Sequence, residues 1–163
     1  MARLIEHPWY RCQAITSVVE ANPSHPRAED LLREALAAAA SQNEPNRVAS
    51  VARWPLRLLV DRGSINAADW TRELLQVIAT ERHGLRRLDG LSAILFAVAP
   101  SEELRALVLE PFMLAASASH GWRTERIIDF IATILIPIDK KAAAKLLDAR
   151  PPSRHTKRSR TSL

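Results

Sequence analysis

Turn-forming residues recur along this chain at a nearly constant interval. One set of turns is centred on Pro23, Gly63, Pro100 and Asp139, which are separated by 40, 37 and 39 positions. A second set lies roughly midway between them, at 41–46, 83–87 and 120–124. The chain therefore alternates between a helix-length segment and a short turn, which is typical of proteins built from stacked helix pairs.

The segments between the turns have the apolar spacing of helices. Leu88, Leu91, Leu95 and Val98 fall at i, i+3, i+7 and i+10, which places them on one face of a helix. The segment 126–138 is rich in β-branched residues and would suit a buried strand, but no other segment could pair with it. We therefore expect a buried helix there and an all-α fold.

Two segments that are 39 positions apart also share residues. The string DLLREAL at 30–36 matches DWTRELL at 69–75 in its Asp, Arg, Glu and one Leu. Four helix pairs of about 38 residues each resemble the HEAT/armadillo class of helical-repeat proteins, whose repeats are of similar length. Pro55, inside VARWPLRLLV, resembles the proline that kinks the first helix of many HEAT repeats. This resemblance implies an α-α superhelix, or solenoid, of about four stacked helical hairpins over residues 1–150.

The positive charge of the chain is concentrated at its C-terminus. The formal net charge is +5, and residues 151–163 supply +4 of it with no acidic residue. These four charges belong to Arg154, Lys157, Arg158 and Arg160. The segment is polar and begins with two prolines, so we expect a flexible basic tail after the repeat domain. Such a tail suits binding to nucleic acid, an anionic membrane or an acidic partner, or it serves only solubility.

Arginines open the first helices of successive pairs. The chain has 19 Arg and four Lys, and a guanidinium group binds carboxylates and phosphates through paired hydrogen bonds. We expect a ladder of arginines along one edge of the stack, with an exposed tryptophan beside it. The candidate partner-binding residues are Arg47, Arg86, Arg87, Trp122, Arg123 and Arg126. Glu44, Asp89 and Glu125 are close in sequence, so pairing with these acids at the surface is the alternative.

No motif predicts catalysis or metal binding. Cys12 is the only cysteine, so neither an internal disulfide nor a thiolate cluster is possible, and we expect it in the core. The two similar strings HGLRR and HGWRT each place a glycine after a histidine, which predicts the C-terminal cap of a helix rather than a metal ligand. A nucleophile elbow and a phosphate-binding loop are both missing. We expect no enzyme, no metal and no cofactor.

The N-terminus and the longest apolar runs indicate in which compartment to expect the protein. Glu6 and His7 interrupt the stretch where a signal peptide would be apolar, and the longest apolar runs are nine residues, far below the ~20 that span a bilayer. We expect a cytoplasmic protein. From the sequence we expect a non-catalytic protein-protein interaction or adaptor module. The alternative is a nucleic-acid-binding protein that uses the tail and the arginine edge on phosphates.

Overall fold

A computed structural model describes residues 2–163, which form helices joined by short turns and contain no strand. A short 3-10 helix, Ala2–Leu4, precedes nine α-helices in this part of the chain. The α-helices are α1 Pro8–Ala21, α2 Ala28–Ala40, α3 Pro45–Asp61, α4 Asn66–Ala79, α5 Gly84–Val98, α6 Glu102–Ala118, α7 Trp122–Leu135, α8 Lys140–Asp148 and α9 Lys157–Thr161. The all-α prediction is confirmed. The first set of predicted turns falls between helices, whereas the second set extends into the starts of α3, α5 and α7.

The odd-numbered helices α1 to α7 lie side by side. α1 contacts α3, α3 contacts α5, and α5 contacts α7. Each of these four helices also packs against the even-numbered helix that follows it, from α2 to α8. The chain thus forms four successive helix pairs, with one row of odd-numbered helices that runs through all four.

Some of the hydrogen bonds between neighbouring helix pairs join residues that are 39 positions apart. Three such bonds, of 3.7, 3.4 and 2.6 Å, run from Cys12 to Val51, from Arg57 to Phe96 and from Arg62 to Pro23. In each bond a side chain donates to a main-chain carbonyl oxygen of the neighbouring pair. Equivalent positions of successive pairs therefore meet in space, as the interval between the turns predicts.

Cys12 compensates for a proline inside α3. Pro55 has no N–H, so the carbonyl oxygen of Val51, four residues earlier, loses its usual helical donor. The Cys12 thiol, on α1, donates to this oxygen across the contact between the two helices. Its side chain is 1% exposed, and this burial raises the pKa of the thiol to about 11. The prediction that Cys12 is a core residue is confirmed.

The prediction that the two His-Gly strings end helices is wrong, because both strings begin helices. α4 has already ended at Ala79, and the side chain of His83 caps α5 by accepting a hydrogen bond from the Arg86 N–H over 3.4 Å. Gly121 is likewise the residue before the first turn of α7. Only a few residues separate consecutive helices here, so a signal for the end of one helix lies next to the start of the other.

The C-terminal segment folds back onto α7. The sequence predicts a flexible tail at 151–163, whereas the structure shows α9 in contact with α7. Ser159 is buried, and its hydroxyl donates to the carboxylate of Asp129 over 2.5 Å. Arg160 points inward and donates to the carbonyl oxygens of Leu147 and Arg150. Polar side chains in this segment thus find acceptors among residues 129–150, which composition alone did not indicate.

Candidate functional site

A groove of about 620 Å³ crosses the row of odd-numbered helices. α5 forms its floor, and α3 and α7 form its two sides. The lining residues are Arg53, Leu85, Arg86, Asp89, Ser92, Trp122, Arg123, Arg126, Ile127 and Phe130. We call it the arginine groove, because four of these residues are arginines. It brings together four of the six predicted partner-binding residues, Arg86, Trp122, Arg123 and Arg126.

Positive charge outweighs negative charge in the groove, which is lined by four arginines and one acidic residue. Arg86 lies 3.7 Å from the carboxylate of Glu44. Arg53, Arg123 and Arg126 form no ion pair within residues 2–163. Glu125, which the sequence places next to these arginines, pairs instead with Arg150 at 2.7 Å. A ligand with negative charge would therefore find free guanidinium groups on both sides of the groove.

Trp122 positions two of these arginines. The guanidinium carbons of Arg123 and Arg126 lie 5.3 and 5.9 Å from the centre of its ring, within the range of cation-π attraction. The Trp122 side chain is itself 53% exposed. The first turn of α7 thus presents an indole ring with two positive charges beside it.

Arg53 is the groove residue that sequence reasoning missed. It lies in the middle of α3, whereas the arginines predicted from sequence lie at the starts of helices. Its guanidinium carbon lies 4.7 Å from the centre of the Trp54 ring, and its Nε is buried without a hydrogen-bond acceptor within residues 2–163. The neighbouring Arg and Trp at 53–54, which parallel Trp122 and Arg123, were the signal available in the sequence.

Asp89 is the single acidic residue that lines the groove. Partial burial on the groove floor raises the pKa of its carboxyl group, and the positive charge of Arg53 opposes this effect. The side chain remains accessible from the groove. The groove therefore offers one carboxylate among its cationic groups.

Aromatic side chains continue along the same face. The ring of Phe96 lies between those of Trp54 and Phe130, with centroid distances of 5.4 and 6.0 Å. Trp54 is 40% exposed, and Trp9 is also exposed. The closely packed core is filled instead by Leu, Ile, Val and Ala with Cys12 and one Phe.

Two predicted residues lie outside the arginine groove. Arg47 forms an ion pair with Glu44 at 2.8 Å and lines a neighbouring groove of about 380 Å³. Arg87 donates its Nε–H to the carbonyl oxygen of Glu81 over 2.8 Å and so holds the turn between α4 and α5. The predicted tail residues lie apart as well, since Arg154, Lys157 and Arg160 line a separate surface groove and Arg158 lies on α9.

The arginine groove combines guanidinium donors, one carboxylate and apolar surface. Among residues 2–163, no three His, Cys, Asp or Glu side chains converge where they could hold a metal ion. In the same part of the chain, none of the helices has the length and hydropathy needed to cross a membrane. Comparisons of the chain with protein-family models, with curated proteins and with solved structures returned no match.

Proposed function

We propose that this protein is a non-catalytic protein-interaction module built on an α-solenoid of four helix pairs. The continuous row of odd-numbered helices and the bonds between residues 39 positions apart support this architecture. Stacked helix pairs expose an extended surface that does not have to change shape to bind a partner. In this protein the row of odd-numbered helices supplies that surface.

The observation that carries the proposal is the composition of the arginine groove. Protein interfaces are enriched in arginine and aromatic residues, and the residues that dominate binding energy are most often Trp, Tyr and Arg. The groove combines Trp122 with arginines that have no ion-pair partner within residues 2–163. Such a surface favours a partner that brings its own carboxylates.

Affinity purification with matched variants tests this proposal. The groove variant carries Arg86→Glu and Arg126→Glu, two exposed positions at which charge reversal should leave the fold intact. The control is Arg72→Glu, which reverses the charge of an exposed arginine on α4, outside the row of odd-numbered helices. We expect one or more proteins to co-purify with the wild type and the control but not with the groove variant. Unchanged co-purification with the groove variant would remove this groove from the proposed function.

Nucleic-acid binding is the second candidate, and the exposed aromatic rings beside arginines favour it. Bases stack on such rings while guanidinium groups hold phosphates. Fluorescence anisotropy of labelled single- and double-stranded oligonucleotides at two salt concentrations tests this function. It requires an affinity that falls steeply with salt, and a loss of affinity when Arg154, Lys157 and Arg158 are changed to Gln. An affinity that is absent or insensitive to salt would reject it.

A further inference from the structure

The width of the arginine groove limits the length of its ligand. The groove reaches from α3 across α5 to α7, which lie side by side. Axes of packed helices are about 8–10 Å apart, so the distance from α3 to α7 is about 16–20 Å. An extended chain advances about 3.3 Å per residue, so about five or six residues cross the groove.

The charges on the two sides of the groove favour an acidic group near each end of such a segment. Arg53 projects from the α3 side, and Arg123 and Arg126 project from the α7 side. The half-buried Arg53 lines the groove on that side and has no ion-pair partner within residues 2–163, so a carboxylate can pair there with the part of its guanidinium group that faces the groove. Guanidinium groups hold carboxylates through forked hydrogen bonds, which fix direction as well as position.

Between the arginines, the groove offers apolar surface. Leu85 lies on α5, and Trp122 and Phe130 lie on α7, where they are 53% and 45% exposed. An aromatic side chain in this position would remove apolar area from water and could stack on the Trp122 ring. In an extended segment, every second side chain points to the same side. Three side chains of a segment of about five or six residues can therefore face the groove, one in the centre and one near each end.

Asp89 distinguishes a peptide from a nucleic-acid strand as the ligand. Its carboxylate lies on the groove floor, below any segment that crosses from α3 to α7. A peptide can present a main-chain N–H to this carboxylate. A nucleic-acid strand carries a negative charge at every nucleotide and would bring phosphates close to it. The groove therefore suits an acidic peptide better than a uniformly charged strand.

We propose that the arginine groove binds an extended acidic segment of a partner protein, about six residues long, with acidic side chains near both ends and an aromatic side chain between them. Arg53 holds one acidic side chain, and Arg123 and Arg126 hold the other. This inference rests on the proposed function and gives the partner a chemical class.

Binding of short labelled peptides to the full chain tests the inference. The probe is a capped six-residue peptide with Glu at positions one and five, Phe at position three and Ser elsewhere. Matched probes replace both Glu with Lys, or Phe with Ala, and a six-nucleotide oligothymidylate serves as the nucleic-acid probe. Anisotropy is measured with the wild type, with Arg53→Gln, with Arg126→Gln and with the control Arg72→Gln. Circular dichroism checks that each variant is folded, and the exposed Arg126 gives a result even if Arg53→Gln unfolds the protein.

We expect the Glu-Phe peptide to bind at least about tenfold more tightly than the Lys peptide or the Ala peptide. Arg53→Gln and Arg126→Gln should each weaken its binding by about tenfold, while Arg72→Gln leaves it unchanged. Equal binding of all peptides, no binding, or binding that is insensitive to Arg126→Gln would overturn the inference. Tighter binding of the oligonucleotide, lost in Arg126→Gln, would overturn it in favour of a nucleic-acid site.

The two proposals fail in different ways. If the peptides do not bind but protein co-purification still depends on Arg86 and Arg126, the groove binds a protein partner of another chemical class. If co-purification does not depend on these arginines, the proposed function of the groove itself is wrong.

Discussion

At the scale of single residues, the two His-Gly strings place different demands on the backbone where α5 and α7 begin. Gly121 has a φ of +103°, a region that residues with a side chain rarely adopt. Gly84 has no such positive φ, and a side chain added to it would make only ordinary contact with the Ser119 hydroxyl at 3.5 Å. Only the second His-Gly string therefore requires its glycine.

Alanine substitutions at these two positions test this difference. We expect Gly121→Ala to lower the free energy of unfolding by about 1–2 kcal/mol, because it forces a strained φ. Gly84→Ala should leave this free energy unchanged or raise it by up to about 1 kcal/mol, because alanine restricts the unfolded chain. Urea denaturation measures both. Equal destabilisation by the two variants would show that the backbone at the two starts is alike.

Cys12 makes stability depend on pH in the alkaline range. The pKa of its thiol is raised to about 11 in the folded protein, whereas an unfolded thiol titrates near about 8.5. Above that lower value, the unfolded chain loses its thiol proton while the folded protein keeps it. The contribution of this thiol to the free energy of unfolding is therefore fully present below pH ~8.5 and is lost as the pH rises towards 11.

Comparison of the wild type with Cys12→Ala isolates this contribution. We expect the free energy of unfolding of the wild type to fall more steeply between pH 9 and 11, because only the wild type carries the buried thiol. The substitution also removes the donor to the Val51 carbonyl oxygen, so stability at pH 7 should drop by about 1–3 kcal/mol. Identical pH slopes in the two proteins would contradict the buried, protonated thiol.

At the scale of helices, Gly90 sets how closely α5 packs against its neighbours. A methyl group added at this position would lie 2.3 Å from Ile78 Cδ1 on α4 and 3.4 Å from the Ala49 side chain on α3. Overpacking costs about 1–3 kcal/mol, while Ala gains about 0.5–1 kcal/mol over Gly in a helix. We expect Gly90→Ala to lower the free energy of unfolding by about 1–2 kcal/mol.

A second substitution tests the cause of this loss. Ile78→Val removes the Cδ1 atom and costs about 0.5–1.5 kcal/mol by itself. With Gly90→Ala, it should relieve the 2.3 Å contact with Cδ1, although the contact with Cγ1 at 2.9 Å remains, so the double variant should be more stable than the sum of the two losses predicts. Thermal and urea denaturation of the four proteins complete this cycle. Additive losses would show that Ile78 does not limit the approach of α5.

The sequence predicted the helices and the positions of the main turns well, but it did not predict which helix each capping string belongs to. Turn positions followed from Pro23, Gly63, Pro100 and Asp139, because these residues interrupt a strong helical spacing. Sequence alone could not show whether a capping string ends one helix or begins the next, because consecutive helices are separated by only a few residues. Packing of α9 onto α7 was also missed, since it depends on hydrogen bonds between distant side chains such as Ser159 and Asp129.

At the scale of the whole molecule, the candidate site depends on residues far apart in sequence. Sequence placed Arg86, Arg123 and Arg126 at the starts of helices and predicted that they share an edge, and the structure brings them together. Arg53 lies 73 positions before Arg126, in the middle of α3, and only the packing of α3 against α5 places it on the opposite side of the groove. A groove across three helices is a property of their packing, which the spacing of turns does not determine.

The central claim is that this face of the molecule contacts another protein, and photo-crosslinking in cells tests it most directly. A photoreactive phenylalanine analogue is placed at position 122 in the arginine groove or, as the control, at position 72 on α4. We expect position 122 to form covalent adducts that protease destroys and nuclease leaves intact, with none at position 72. Nuclease-sensitive adducts at position 122, or no adduct there, would contradict the account.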